Sequence, residues 1–378
     1  MTSAVIAGYA RTPFHFAYKG NLKTVRPMEL AATAVKGVLD KSGINKDDIE
    51  DLILGCSFPE AEQGFNMARL VVFASGLGRN VGGMTINRFC GSSMQSVHSA
   101  AGAIAMGAGD AFICAGVESM SRVQMGGFNP SLDPDVLAVE PDAYISMGDT
   151  AENVAKNYSI SRAEQEELAV LSHAKAAQAR ESGKMADEIM AIETKDGVVD
   201  QDGCIRPGTN AEGLAGLKPV FKADGTVTAA TSSPLTDGAA ATLVCSEDYA
   251  KANGLPILAR IRSVAVSGCA PDVMGLGPIG ATKKALARAG LTIDDIDLFE
   301  INEAFASQAI ASIRDLKIDV NKVNLDGGGM AIGHPLGATG ARITGKAASL
   351  LKREGAQFAV STQCIGGGQG IATVLEAV

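Results

Sequence analysis

The chain has 378 residues, 46% of them hydrophobic and 20% charged, with a formal net charge of −9 and no tryptophan. That length exceeds one ordinary core and implies two or three domains, while the acidic balance and scarce aromatics exclude a broad phosphate-binding face or base-stacking platform, so no nucleic-acid partner is expected. Seven cysteines, odd in number and without a C-x-x-C pair, argue against a disulfide framework or zinc site and fit a reducing compartment.

In chain order, residues 3–8 read as a strand, with no secretory or transit pattern before them. No later run reaches the ~20 apolar residues of a spanning helix, so a cytoplasmic protein with no membrane partner is expected. Apolar residues at helical spacing predict a helix over 28–41, capped by Gly43, and a buried strand over 51–55. Residues 92–106, small and apolar nearly all round, predict a buried helix starting next to Cys90. Residues 126–142, with three prolines and three aspartates, read as loop. A helix over 149–158 follows, with Asp149 and Glu152 as a capping box, and then a stronger one from Ser161 and Glu164 to about residue 181. Helix 279–289, strand 298–301 and strand 358–362, which Cys364 closes, complete the pattern. Alternation of this kind implies mostly parallel sheets covered by helices.

The chain also repeats itself. Residues 37–50 and 284–297 share a helix-capping glycine, Gly43 or Gly290, followed four residues later by Asp-Asp-Ile, and residues 109–114 parallel 355–360 at nearly the same offset. These matches divide the chain into an α/β half at 1–118, an insertion with return strands at 119–253 lying over the active site, and a second α/β half at 254–378.

Three glycine-rich segments carry the chemistry. Cys90 lies in Asn-Arg-Phe-Cys-Gly-Ser-Ser-Met-Gln, residues 87–95. At a helix start the macrodipole favours thiolate, and the backbone N–H is free to face an oxyanion. His334 lies in Gly-His-Pro-Leu-Gly-Ala-Thr-Gly, residues 333–340, a setting poor for packing and suited to a base. Cys364 enters a Gly-Gly-Gly turn, whose glycines either present N–H groups to a site or make a bulge, and a second thiol in such a setting points to an acid and base. Asn302, after strand 298–301, is suited either to hold a water or an oxyanion or to cap a helix. Cys56, Cys114, Cys204, Cys245 and Cys269 read as packing residues, and His15, His98 and His173 as structural or exposed. Neither a dinucleotide-binding nor a P-loop glycine frame is complete.

These segments, with Gly-Val-Glu-Ser-Met-Ser at 116–121, Met-Gly-Asp-Thr-Ala-Glu-Asn-Val at 147–154 and Asn-Glu-Ala-Phe at 302–305, resemble the motifs of the thiolases, in that family's order and over the whole chain. The resemblance implies an α/β class fold, a duplicated pair in five layers, α-β-α-β-α, with an inserted loop domain. It implies Cys90 as acyl-accepting nucleophile, His334 as its base and Cys364 as the acid/base at the α-carbon of acetyl-CoA. Asn302 would hold a water that forms one oxyanion hole with His334, and the N–H groups of Cys90 and Gly366 would form the other. Met147, Arg206, Phe221 and Ser233 match positions lining the coenzyme A channel. Coenzyme A would be substrate, with no cofactor and no metal, and the protein a homodimer or homotetramer. Ser146 stands where short-chain biosynthetic members often carry histidine. The 90–95 segment and residues 263–269 look closer to the thiolase subunit of bacterial fatty-acid oxidation complexes, which would add a dehydrogenase/hydratase partner. A degradative 3-ketoacyl-CoA thiolase is therefore expected, ahead of a short-chain acetoacetyl-CoA thiolase. A ketosynthase-like condensing enzyme would carry a second histidine in place of Asn302, and a non-catalytic lipid-binding relative would lose Asn-Glu-Ala-Phe.

Overall fold

The computed structural model describes residues 2–378. The first elements are β1 (Ala4–Arg11), β2 (His15–Phe16), α1 (Pro27–Ser42), β3 (Asp51–Gly55), α2 (Met67–Ala74), β4 (Gly82–Ile86), α3 (Ser92–Ala105) and β5 (Ala111–Ser119). A central run holds α4 (Pro134–Val139), α5 (Met147–Asn157), α6 (Arg162–Glu181), the hairpin β6 (Ile192–Thr194) and β7 (Gly197–Val199), α7 (Ala211–Ala215), β8 (Thr236–Ser246) and α8 (Glu247–Ala252). The chain ends through β9 (Ala259–Gly268), α9 (Gly277–Ala289), β10 (Leu298–Ile301), α10 (Ala306–Leu316), α11 (Gly329–Ile332), α12 (Leu336–Glu354), β11 (Phe358–Ile365) and β12 (Gln369–Glu376).

The internal repeat is visible in the strand order, β10-β11-β12-β9-β1-β8-β5-β3-β4. From β3 the first half runs parallel to β5, antiparallel to β8, then antiparallel to β1; from β10 the second runs parallel to β11, antiparallel to β12, then antiparallel to β9. The two sheets meet only where Val5 and Ile6 pair with Arg260 and Ala259. Both capping glycines are left-handed, Gly43 at φ 68° and Gly290 at φ 71°, and a 3-10 turn follows each, at Lys46–Asp48 and Ile293–Asp295. The expectation of mostly parallel sheets is corrected. Only β3–β4, β3–β5 and β10–β11 run parallel, because the last strands of each half return through hairpin-like or long connections rather than crossover helices.

Helices α1 and α9 cover the outer faces, and α3 and α12 are packed between the two sheets, which produces the five layers. Helix α12 is accordingly buried on nearly every side. Its backbone approaches α3 so closely that a Cβ at Gly340 would sit 2.2 Å from the Met94 nitrogen, a contact only glycine permits. Each fully buried Leu or Val of the outer helices, such as Leu30, Val35 and Val38, contributes about 1.5–3 kcal/mol.

Two local expectations change. Residues 126–142 are not all loop, since Asp133 accepts the N–H groups of Asp135 and Val136 and starts α4. The N-cap of α5 is Ser146, whose Oγ accepts the Asp149 N–H at 3.2 Å, not Asp149. Glu152 is drawn away from any capping role by the N–H groups of Thr226 and Val227, at 3.0 Å each. The Ser161–Glu164 capping box is present as expected. No helix among the described residues is long and apolar enough to cross a membrane.

Candidate active site

The chemistry-bearing residues converge on one cavity of about 740 Å³. Cys90 reaches it from the turn before α3. Phe89 takes a left-handed φ of 42°, and the Ser92 hydroxyl ties the turn shut by donating to Phe89 O at 2.6 Å and accepting the Arg88 N–H at 2.9 Å. The Gln363 side chain donates to the Cys90 carbonyl, and the Cys90 N–H is turned to the residue's own sulfur. That N–H and the N–H of Gly366 both face the Cys90 sulfur.

His334 is buried at the turn into α12. Its N–H donates to Thr236 Oγ1 at 3.0 Å, and Nδ1 lies 2.6 Å from Thr339 Oγ1. The Thr339 hydroxyl hydrogen goes to the Pro335 carbonyl at 2.9 Å. The Thr339 oxygen then accepts the Nδ1 hydrogen, which leaves Nε2 as the acceptor. Asn302 Nδ2 stands 3.2 Å from Nε2, and Asn302 Oδ1 is buried with no protein partner. Asn302 is not a helix cap, because α10 begins at Ala306 with Phe305 before it. Of its two readings, the one facing the site survives.

Cys364 lies inside β11, which runs to Ile365, three residues beyond the strand end expected at 362, and lines the same cavity. Met147, Arg206, Phe221 and Ser233, contributed by the central run, line it as well. Phe221 stacks edge-on against Phe305 at 5.9 Å and covers Gly148, while Ser233 N–H donates to Ala304 O at 2.9 Å, tying the central run to the Asn-Glu-Ala-Phe loop. The nine residues singled out in the sequence are thus brought together.

Burial dominates the electrostatics. It pushes the Cys90 thiol up to about 12 against the two facing N–H groups, with the Glu118 carboxylate raising it further. Cys364 is raised well above the thiol range by burial and then by the neighbouring Cys90. His334 is lowered to about 3 by burial and then by Arg342. Burial thus acts against the thiolate that the dipole of α3 favours at Cys90, which is half-buried at the cavity wall, and these directions describe a site at rest with two thiols and a neutral imidazole.

Several residues of the site were not singled out. Glu118, at the end of β5, accepts the N–H groups of Ser57 and Gly337 at 2.9 Å each and the Gln63 amide at 2.8 Å, clasping the end of β3 to the start of α12. A carboxylate in the apolar run Ala-Gly-Val-Glu-Ser was the available signal. Thr339, Thr236, Phe16 and Lys19 carried none. His15, His98 and His173 are buried rather than exposed, and Cys269 alone of the packing cysteines is half-buried. All seven cysteines are free, and no group of three or more His, Cys, Asp or Glu among the described residues is placed to hold a metal ion.

Residues 4–248 match the model of the thiolase N-terminal domain, and residues 255–377 that of the thiolase C-terminal domain. The chain belongs to the thiolase family. This thiolase is 48% identical over 389 aligned positions to the 3-ketoacyl-CoA thiolase of Bacillus subtilis (strain 168) and 47% identical to that of Shewanella loihica, in each case across 100% of both chains. Among solved structures it superposes on human mitochondrial 3-ketoacyl-CoA thiolase in complex with CoA with a TM-score of 0.92 at 37% identity, covering 100% of this chain and 98% of that one. The same human enzyme solved in a second crystal structure gives a TM-score of 0.91.

Proposed function

We propose that this thiolase is an acyl-CoA:acetyl-CoA C-acyltransferase of the 3-ketoacyl-CoA thiolase type, with coenzyme A as substrate. The observation that carries the reading is the His334 imidazole. Its Nδ1–H is committed to Thr339, and its unprotonated Nε2, beside the Asn302 amide, belongs to a cavity with two thiols, one of them facing a pair of N–H groups. Its full-length relatives bear the same activity in their names.

In this scheme His334 Nε2 takes the Cys90 proton as the sulfur attacks the 3-keto carbon. The bond between C2 and C3 breaks, leaving an acyl group on Cys90 and the enolate of acetyl-CoA, which takes its proton from the Cys364 thiol. An incoming CoA thiol returns a proton to Cys364 and attacks the acyl–Cys90 thioester, and His334 gives its proton back to Cys90. Each half-reaction develops an oxyanion. Water held by Asn302, together with His334, serves one, and the Cys90 and Gly366 N–H groups serve the other, each such donor being worth about 3 kcal/mol. The neutral resting groups suit the scheme, since charge is created only when a substrate oxygen can share it.

The three chain segments play distinct parts here, 1–118 supplying Cys90, 254–378 supplying His334 and Cys364, and 119–253 the walls. Seven free cysteines support a reducing, cytoplasmic location. The edge strand β4 supports a homo-oligomer. It has a single neighbour, β3, and carries Met84, 41% exposed, near Phe65, which is 94% exposed.

Two measurements test the function. Incubation with acetyl-CoA followed by peptide mass spectrometry should find the acetyl group on Cys90, and acetylation of another cysteine instead would overturn the assignment. Thiolysis of 3-ketoacyl-CoAs of four, six and eight carbons should extend past four, since a mainly apolar channel gains about 0.8 kcal/mol per buried CH₂. A sharp fall beyond four carbons would select the acetoacetyl-CoA thiolase instead.

A further inference from the structure

The mouth of the cavity carries an unusual charge arrangement. Lys19 Nζ lies 4.6 Å and Arg206 Cζ 5.1 Å from the centre of the same ring, that of Phe16. All three residues line the cavity. Lys19 and Arg206 are exposed, whereas His334 and Cys364 are buried, so the cations stand at the mouth and the reacting groups at the floor. Neither cation belongs to any ion pair among the described residues, in a chain of net charge −9.

The arrangement is built rather than incidental. Phe16 pairs with Thr236, the residue that receives the His334 N–H. Ala17 N–H donates to Leu235 O at 2.8 Å, and Tyr18 N–H to Ser121 Oγ at 2.7 Å. Tyr18 takes a left-handed φ of 64°, and the turn closes with Gly20 N–H on Phe16 O at 2.8 Å, where a Cβ on Gly20 would meet that oxygen at 2.5 Å. On the other side, the Arg206 N–H donates to His173 Nδ1 at 3.2 Å. A strained, anchored turn thus holds a lysine against the same ring that an arginine approaches, neither of them in an ion pair, and two like charges sharing one ring favour an anion that joins them.

We propose that Lys19, with Phe16 as its platform, completes with Arg206 a cationic clamp that holds a phosphate group in the nucleotide half of coenzyme A. The inference rests on the CoA-thioester reading above and adds Lys19 and Phe16 as specificity residues. An acyl thioester at the cavity floor places the pantetheine arm along the apolar walls and the charged nucleotide at the mouth, where the two cations stand.

The test measures binding separately from turnover. Calorimetric titrations with CoA, 3′-dephospho-CoA and pantetheine are run on the parent, Lys19→Gln, Lys19→Arg and Phe16→Leu. Lys19→Gln should weaken CoA about 5-fold, the size of one partly exposed charge-assisted contact, with the difference shrinking as salt rises. Lys19→Arg should restore most of the affinity, and Phe16→Leu should lose part of it. A penalty that survives with 3′-dephospho-CoA identifies the diphosphate as the group held; one that vanishes there identifies the 3′-phosphate. Either supports the clamp. No penalty with CoA, or an equal penalty with pantetheine, overturns it. A parent that binds CoA in a Lys19-dependent way yet catalyses no thiolysis would refute the proposed reaction and leave the clamp standing.

Discussion

Thr339→Val isolates the device that sets the histidine tautomer. Thr339 is fully buried and does not line the cavity, so the change leaves substrate contacts alone. Valine keeps the shape and removes the oxygen that accepts the His334 Nδ1–H at 2.6 Å. The Pro335 carbonyl loses the hydroxyl but keeps the Ala338 and Thr339 N–H groups at 3.0 and 3.1 Å. The burden therefore falls on Nδ1–H, a buried donor left without a partner, at about 1–3 kcal/mol. The imidazole relieves it by moving its proton to Nε2, where it blocks the base. Taking about 2 kcal/mol as the cost of restoring the productive tautomer, kcat should fall roughly 30-fold. KM should change little, and Thr339→Ser should recover most of the loss. Steady-state thiolysis of acetoacetyl-CoA, followed by consumption of the 3-ketoacyl thioester, reads both constants, and a thermal melt checks the fold. A Thr339→Val enzyme within twofold of the parent in kcat would refute the tautomer argument.

Cys364→Ala should still take an acetyl group onto Cys90 from acetyl-CoA but lose carbon–carbon chemistry, because only the enolate step needs a proton carrier at the α-carbon; normal exchange of the α-protons of acetyl-CoA in this variant would place that role elsewhere. The buried histidines should cost stability as pH drops from 7 to 5. His334 and His98 are held near 3 and His173 near 4, mainly by burial, so below about 6.5 the unfolded chain binds protons that the folded chain refuses. Each forfeits about 2 kcal/mol at pH 5. Glu300, raised to about 7 by burial, works the other way, because its share of stability is present at low pH and is lost as pH rises through 7. His15 is lowered as well, and Asp51, Glu118, Asp237 and Glu303 are raised with Glu300, so the histidine share is read as the difference in Tm loss from pH 7 to pH 5 between the parent and His98→Gln: the variant should lose less, and an equal loss in both would contradict the burial argument. Sedimentation at low micromolar concentration should give at least twice the chain mass, and a compact, fully active monomer would refute pairing through the β4 edge.

What could be read from the sequence was what short segments encode. The helices over 28–41 and 279–289 announce themselves by apolar spacing and a glycine that adopts a left-handed cap, and Ser161 and Glu164 form their capping box within four residues. The family resemblance likewise rests on runs in which a reactive residue and the small residues that expose it are adjacent, as at Cys90, His334 and Cys364. Where two local devices competed, reading failed. Ser146, not Asp149, caps α5, because Glu152 was claimed by Thr226 and Val227, more than 70 positions away.

Only the tertiary structure decided the rest, for one physical reason: burial and pairing between distant segments are properties of the assembled sheets. Strand direction in β8 and β12 depends on neighbours far along the chain. The Cys90 thiol feels how much protein covers it, which works against the helix dipole that its position in sequence implied. Glu118 clasps Ser57 to Gly337, and Lys19 meets Arg206 over Phe16, only because the layers bring those segments together. Thr339 lies in a motif that was read, yet its duty depends on the helix turn that carries its hydroxyl back to Pro335 and presents its oxygen to the imidazole.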